Sequence, residues 1–127
     1  MKVHLAPGWR TELNHGPDWL FVKLYGPTGE DANTTGLGES LLLLAREELT
    51  RRMVVELDAV ESVTEQFFGE LLQLRDSLEA EGGLLRVCGL SRDHQERLRE
   101  VDAICQLPQF RDREEAVMGF YRPGKPR

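Results

Sequence analysis

Features that mark secreted, membrane-spanning and disulfide-stabilised proteins are scarce in this chain of 127 residues. It has two cysteines, Cys88 in a predicted buried strand and Cys105 in a loop, which are too few for a disulfide framework. The longest apolar run, Leu41–Ala45, falls far short of the ~20 residues that span a bilayer. Residues 1–7 lack the apolar core of a signal peptide. We therefore expect a cytoplasmic protein with reduced thiols and no direct membrane insertion.

A clustered basic surface, a dinucleotide-binding glycine motif and a metal-ligand spacing are also absent. The formal net charge is −6, and arginines alternate with glutamates along the predicted helices, so we expect no nucleic-acid partner. The glycines between residues 26 and 38 do not follow the G-x-G-x-x-G spacing. The three histidines, His4, His15 and His94, are far apart in sequence. We therefore predict no metal site and no cofactor.

The chain does have the length and apolar content of one domain. Hydrophobic residues make up 40% of it, which is enough for one well-formed core and too little for two. We predict a single domain over residues 1–127, with 1–9 and 122–127 as flexible ends. Its first third is β-like, because Arg10–His15 and Trp19–Tyr25 flank a Gly-Pro-Asp turn. This pattern predicts a β-hairpin.

Residues 53–90 hold the strongest pattern in the chain. A β-type run, Met53–Leu57, leads into a long amphipathic helix, Val63–Glu81, and a second β-type run follows at Leu84–Cys88. Gly82 and Gly83 supply the left-handed residue that commonly ends a helix. A strand, a helix and a strand over this length predict a βαβ unit in a parallel sheet, with the first run central and paired on both sides.

Three further helices are predicted. The first has an imperfect apolar stripe that consists of Leu41, Leu42, Ala45 and Leu49. The third begins after Ser91 and the fourth after Asp112, both of which are good N-cap residues. Residues 107–110 form either a short edge strand or an extended link. The predicted fold class is therefore α/β, with a mixed sheet of four to five strands and about four helices.

Convergent catalytic groups are not visible in the sequence. Asp58 and Glu61 lie in the turn after a strand, but their spacing implies no shared proton, and we expect Asp58 to fix that turn. Cys88 could act as a nucleophile, yet its apolar neighbours and the lack of a partner histidine favour an inert packed thiol. We therefore predict that the protein is not an enzyme.

A longer pattern runs from about residue 10 to residue 120. Its parts are a strand followed by Asp58 and Val60, Gly69, Leu71-Leu72, the run from Glu81 to Ser91, Gln106–Phe110 and Glu114–Val117. Together they resemble the STAS domain of bacterial anti-sigma factor antagonists. The resemblance implies a STAS-like fold and a role in signal transduction and transcription regulation. It also implies a regulatory protein partner such as an anti-sigma factor or serine kinase.

One position departs from the family pattern. In the phosphorylated members an Asp-Ser-Ser/Thr-Gly run begins the helix, and its first Ser accepts a phosphate from a partner kinase. The aligned residues here begin with Thr64 and Glu65, so the resemblance puts Glu65 in the place of the phosphoacceptor Ser. Glu65 would supply one permanent negative charge, less than the charge of about −1.5 to −2 on a phosphate.

The residues themselves leave a second interpretation of this position open. Ser62-Val63-Thr64-Glu65 matches a capping box, in which Ser62 is the N-cap and Glu65 reaches back to the N–H of Ser62. Ser62 and Thr64 are also candidate phosphoacceptors, because both lie near the helix N-terminus. Plain capping roles are the alternative for both hydroxyls.

The function predicted from the sequence is a non-catalytic, regulatory protein-interaction module. Its partner-binding residues are predicted to be Asp58, Glu61, Ser62, Thr64, Glu65 and Gln66. The alternatives are a STAS subunit of a lipid-transport ABC complex and a nucleotide-sensing STAS module. The sequence leaves the oligomeric state open, with a homodimer among the options.

Overall fold

The computed structural model describes residues 2–4, 9–26, 35–60, 64–100 and 109–118. The strands there are β1 (Lys2–His4), β2 (Arg10–His15), β3 (Leu20–Tyr25), β4 (Arg52–Glu56), β5 (Leu84–Cys88) and β6 (Gln109–Phe110). The helices are α1 (Leu37–Glu47), α2 (Glu65–Ala80), α3 (Arg92–Glu100) and α4 (Arg113–Met118). The α/β class with a mixed sheet and four helices is thus confirmed.

The six strands form one sheet in the order β1-β2-β3-β4-β5-β6. The pairs β1–β2 and β2–β3 are antiparallel, which confirms the predicted hairpin of β2 and β3. The pairs from β3 to β6 are all parallel. Strand β4 pairs with β3 and β5, so the βαβ unit and the central place of its first strand are confirmed. Residues 109–110 form an edge strand instead of a link.

The chain ends differ from the prediction. Residues 1–9 were expected to be flexible, but Lys2–His4 form β1 and pair with β2 in register, Val3 opposite Thr11. Edge pairing supplies backbone hydrogen bonds that sequence composition does not reveal. This strand and the short β6 bring the sheet to six strands, where four to five were expected. The predicted flexible end at 122–127 lies outside the described residues, and the single-domain boundary stays a prediction.

Helices α1 and α2 cover one face of the sheet. Their buried side chains include Leu41, Phe67 and Leu71, which meet buried strand residues such as Val22 and Val55 in one core. The two helices approach closely at Gly38, where an added Cβ would collide with the backbone carbonyl of Glu70. Helix α4 packs on the opposite face against a second, smaller cluster that contains Val54, Cys88 and Ala116.

Helix α1 ends earlier than its apolar stripe suggests. Leu49 was predicted to share the buried side with Leu41 and Ala45, but α1 ends at Glu47 and Leu49 is 93% exposed. The chain must turn there to reach β4, and the N–H of Thr50 donates to the carbonyl of Ala45 in the turn. The prediction for Leu49 was wrong, because helical periodicity does not show where the helix stops.

Two predicted N-caps are confirmed. Ser91 Oγ accepts a hydrogen bond from the N–H of His94 at 3.2 Å, and Asp112 Oδ1 accepts one from the N–H of Glu115 at 2.9 Å. The carboxylate of Glu115 is fully buried and accepts bonds from the backbone and the guanidinium of Arg111. This arrangement is a variant of the capping box, because the Glu three residues after the cap accepts a hydrogen bond from the N–H of Arg111, the residue before the cap.

Candidate functional site: the tip of helix α2

The carboxyl ends of the parallel strands meet at one edge of the sheet. Strands β3, β4, β5 and β6 are parallel and each is followed by a helix, so the four helices begin at this edge. A helix N-terminus carries unpaired N–H groups and a partial positive charge. The candidate site is the beginning of α2 at this edge, and we call residues 64–66 the α2 tip.

The α2 tip is capped by Thr64. Thr64 has an extended backbone (φ −121°, ψ 170°), and its Oγ1 accepts a hydrogen bond from the N–H of Phe67 at 3.1 Å. The predicted capping box with Ser62 as N-cap is therefore wrong, because Glu65 is the first helical residue instead of the third. The helix begins two residues later than expected, at Glu65, and ends at Ala80.

All three residues of the α2 tip are exposed, whereas Phe67 and Phe68 behind them are buried. Phe67 stacks on Trp9 with ring centroids 5.4 Å apart, which fixes the first turn of α2 on the sheet. Glu65 makes no hydrogen bond or ion pair with any residue that the structure describes. The tip is therefore held from behind and presents an unengaged carboxylate on its outer side.

The tip is also fastened to the beginning of α1. Gln66 Nε2 donates to Thr35 Oγ1 at 2.9 Å. One turn further on, Glu70 Oε1 accepts a hydrogen bond from the N–H of Gly38 at 2.7 Å, in the first turn of α1. Helix α1 has no side-chain cap of its own, since its N-cap is Gly36. The carboxylate of Glu70 in α2 therefore satisfies one N–H group of α1, and this bond holds the two helix N-termini side by side.

Asp58 lies in the turn after β4 and pairs with a residue that sequence reasoning missed. Its Oδ2 is 3.1 Å from Lys23 Nζ at the end of β3. The hydrogen bond to Asp58, and then the charge of Asp58, raise the pKa of Lys23 above its usual value. The register signals this neighbour, because Lys23 lies opposite Glu56 in adjacent parallel strands. The ion pair joins the ends of β3 and β4 beside the site.

Two of the six predicted partner-binding residues, Glu61 and Ser62, lie outside the described residues. The other four are exposed residues at the same edge of the sheet. Asp58 is engaged by Lys23, Thr64 caps α2, Gln66 contacts Thr35, and Glu65 makes none of these contacts.

Cys88 has the character predicted for an inert packed thiol. It is 2% exposed, and burial raises the pKa of the Cys88 thiol to about 12. A buried thiol with such a pKa is protonated at neutral pH and is a poor nucleophile. Within the described ranges, no group of three or more His, Cys, Asp or Glu side chains could hold a metal ion. No helix of the described chain is long and apolar enough to cross a bilayer.

Comparisons with known proteins give a fold and no family assignment. No protein-family model and no curated protein matches the sequence. An anti-sigma factor antagonist from Mycobacterium paratuberculosis superposes with a TM-score of 0.70 at 16% identity, over 91% of this chain and 97% of that one. An anti-sigma-factor antagonist (STAS) domain protein from Planctomyces limnophilus gives 0.68 at 15% identity, over 86% and 96%.

A membrane transporter contains the same fold as one part of a longer chain. The murine Solute Carrier 26 family member A9 anion transporter superposes with a TM-score of 0.65 at 12% identity, over 80% of this chain and 17% of that one. These identities are low, and the likeness is one of fold. The STAS-like fold expected from the sequence is thus confirmed.

Proposed function

We propose that this chain is a non-catalytic regulatory module that binds another protein through the α2 tip and the turn before it. The observation that carries the proposal is the exposed carboxylate of Glu65, which has no bonding partner among the described residues, at a helix N-terminus that is packed against Trp9 from behind. A rigid support beneath an exposed polar tip suits recognition, because little conformational entropy is lost when a partner binds. In this role the protein acts in bacterial transcription regulation in the cytoplasm, like an anti-sigma factor antagonist.

Glu65 is assigned the part of a permanent charge. A carboxylate in the first turn of a helix interacts favourably with the partial positive charge of the helix N-terminus. In the proposed module it stands where a phosphoacceptor would alternate between neutral and charged states. The module would therefore stay in one of the two states that phosphorylation otherwise switches.

The rest of the proposed surface is Asp58 and Gln66, together with Glu61 and Ser62 in the segment just before the tip. Among the described residues at this edge, Asp58 is paired with Lys23 and Cys88 is buried, which supports a non-catalytic role. A polar surface of mixed hydrogen-bonding groups around one fixed charge is typical of protein recognition, in which charge complementarity sets specificity.

The test begins with affinity capture of the partner from the native cell with the full chain as bait. A regulatory serine-kinase-like protein supports the proposal. Capture of an ABC ATPase would replace it with the lipid-transport alternative, and tight binding of a purified nucleotide would favour the nucleotide-sensing one.

Binding of the purified partner is then measured by calorimetry with Glu65→Lys. We expect an affinity loss of at least about 10-fold, because a fixed charge is reversed inside the contact. Glu79→Lys is the matched control, since Glu79 is an exposed glutamate near the other end of the same helix. Equal affinities for Glu65→Lys and Glu79→Lys would contradict the proposal.

Phosphorylation is tested separately with the captured kinase and ATP. A permanent charge at Glu65 predicts that partner binding needs no phosphate, so the unmodified protein should bind as tightly as protein that has been incubated with the kinase and ATP. Addition of one phosphoryl group at Ser62 or Thr64 that changes the affinity would show a switch at a neighbouring hydroxyl instead of a fixed state.

A further inference from the structure

Leu49 has a backbone conformation that usually belongs to glycine. Its φ is 54°, and within the described residues it is the one non-glycine residue with positive φ. The N–H of Leu49 donates to the carbonyl of Arg46 at 3.1 Å, and the N–H of Thr50 donates to that of Ala45 at 3.0 Å. These bonds place Leu49 at the left-handed position that ends a helix, where side chains with a Cβ are disfavoured.

Helix α2 ends with the same left-handed conformation, but at a glycine, where it causes no strain. Gly82 has a φ of 82°, and the N–H of Gly83 donates to the carbonyl of Leu78 at 2.7 Å. Both helices therefore end in the same type of turn, one with glycine and the other with leucine. Leucine at this position is less favourable for folding than glycine.

Burial does not compensate for this choice. The Leu49 residue is 93% exposed, so the folded monomer gains almost nothing from its apolar side chain. A residue that opposes the fold locally without a visible gain is expected at a functional position. An exposed leucine on a strained, well-defined turn has the form of an anchor that fits into another surface.

A groove that could receive such an anchor lies beside it. The groove has a volume of about 270 Å³ between the ends of α1 and α2, and its apolar walls include Leu42, Ala45 and Leu78. Leu49 itself stands on its rim. One surface therefore displays both a protruding leucine and an apolar groove. Under a twofold rotation, a second copy can place its leucine in this groove while its own groove receives the leucine of the first copy.

The charges on this surface also suit a second copy. Arg46 and Arg51 lie on the groove rim together with Glu81, and the exposed Glu47 is next to Arg46 in sequence. Arg46 Nε lies 3.4 Å from a Glu81 carboxylate oxygen, and both side chains are substantially exposed. A partner with one dominant sign of charge would meet repulsion somewhere on this rim. A twofold-related copy instead brings both signs of charge, so that Glu47 or Glu81 of one copy can face Arg46 or Arg51 of the other.

We propose that the chain forms a twofold symmetric homodimer in which Leu49 of each copy enters the groove between α1 and α2 of the other. The contact is far from the α2 tip. Helix α2 has 16 residues and is therefore about 24 Å long, and the groove includes Leu78 near its far end. The dimer leaves both α2 tips accessible, so this inference is independent of the proposed function.

The test is sedimentation velocity of the full chain over a range of concentrations. The natural sequence should show a monomer–dimer equilibrium. Leu49→Gly should weaken the dimer by about 100-fold or more, because both copies lose a buried anchor. Leu43→Ala is the matched control, since Leu43 is a half-exposed leucine of α1 that does not line the groove; it should leave the dissociation constant unchanged.

Thermal unfolding at a concentration where all variants are monomeric separates loss of association from loss of folding. Leu49→Gly should melt at the same temperature or higher, because glycine relieves the left-handed backbone. Leu49→Asn, which also tolerates this conformation, should lose the dimer in the same way. A natural chain that stays monomeric at all concentrations would overturn the proposal, and so would a dimer that Leu49→Gly leaves intact.

Discussion

On one face of the sheet, the apolar side chains of helices α1 and α2 cover the strands. The strand residues beneath them, such as Val22, Val55 and Val87, are entirely buried. On the other face, α4 has six residues and covers much less. Arginine side chains cover part of this second face. Arg86 lies over the ring of Trp19 at 5.0 Å, and Arg113 lies over the ring of Phe21 at 4.3 Å.

Those arginines also fasten α4. Arg86 Nη1 donates to the carbonyl of Ala116 at 2.7 Å, and Arg113 Nη2 donates to a carboxylate oxygen of Glu56 at 2.7 Å. Burial, and secondarily the charge of Arg52, lower the pKa of Arg86. A short helix that cannot bury enough apolar surface is thus held by arginines whose side chains lie over aromatic rings and whose guanidinium groups donate hydrogen bonds to the helix and the sheet.

The largest test of this comparison is the same substitution on both faces. Phe67→Ala should lower the free energy of unfolding by about 4 kcal/mol, because Phe67 is fully buried and stacked on Trp9. Phe21→Ala should cost about 2 kcal/mol, since Phe21 lines a surface depression of about 680 Å³ that water can fill after truncation. Urea denaturation measures both. Equal costs would mean that the two faces are packed alike.

A smaller effect is expected from the ion pair that fastens α4. Arg113→Ala should cost about 1–2 kcal/mol, because it leaves the largely buried Glu56 carboxylate without its partner. Glu56→Gln in the same background should recover part of that loss, so a double-mutant cycle should show a coupling of about 1 kcal/mol. Additive losses in the cycle would assign the attachment of α4 to the contact between Arg113 and Phe21 instead.

The smallest effect concerns Cys88 beneath α4. Burial raises the pKa of the Cys88 thiol from 9.0 to about 12, so above pH 9 the unfolded chain releases a proton that the folded chain keeps. The stability from this group is full below pH 9 and is lost as the pH rises toward 12. At pH 10 the loss should be about 1 kcal/mol relative to Cys88→Ala.

Urea denaturation at pH 7 and pH 10 measures that difference, and a Cys105→Ser background leaves Cys88 as the one thiol. Rapid modification of Cys88 by a thiol reagent in the folded protein at pH 8 would contradict the prediction. Such a result would show that α4 opens readily and that the second face is covered only part of the time.

Local pattern was sufficient for most of the elements. The alternating and apolar runs predicted β2 and β5 with their observed ends, and β3 and β4 within one residue. Prediction from local pattern failed where the sequence offers two possible residues for the beginning or the end of a helix. Ser62 and Thr64 are both good caps, and the observed cap is the hydroxyl three residues before Phe67, whose ring must meet Trp9. Leu49 continued the period of α1, yet the helix ends two residues before it.

Contacts between residues that are far apart in the sequence were also not predicted. Arg113 and Glu56 are 57 residues apart, and Lys23 and Asp58 meet only because β3 and β4 are parallel neighbours. Sequence periodicity describes one element at a time and carries no information on such pairs. The beginning of α2 was predicted at the edge of the sheet where it is found, since a βαβ unit brings its helix N-terminus to the carboxyl end of the first strand, but the ion pair between Asp58 and Lys23 was not predicted.

The order of strands and helices from β2 to α4, the parallel βαβ unit and the presence of a carboxylate at the beginning of α2 follow from the sequence alone, because hydrophobic periodicity and turn residues act locally. Which hydroxyl caps that helix, which arginines hold α4, and the exposure of a strained Leu49 beside an apolar groove were decided by tertiary packing. They depend on how rings, cations and helix ends from distant parts of the chain share the limited space around one sheet.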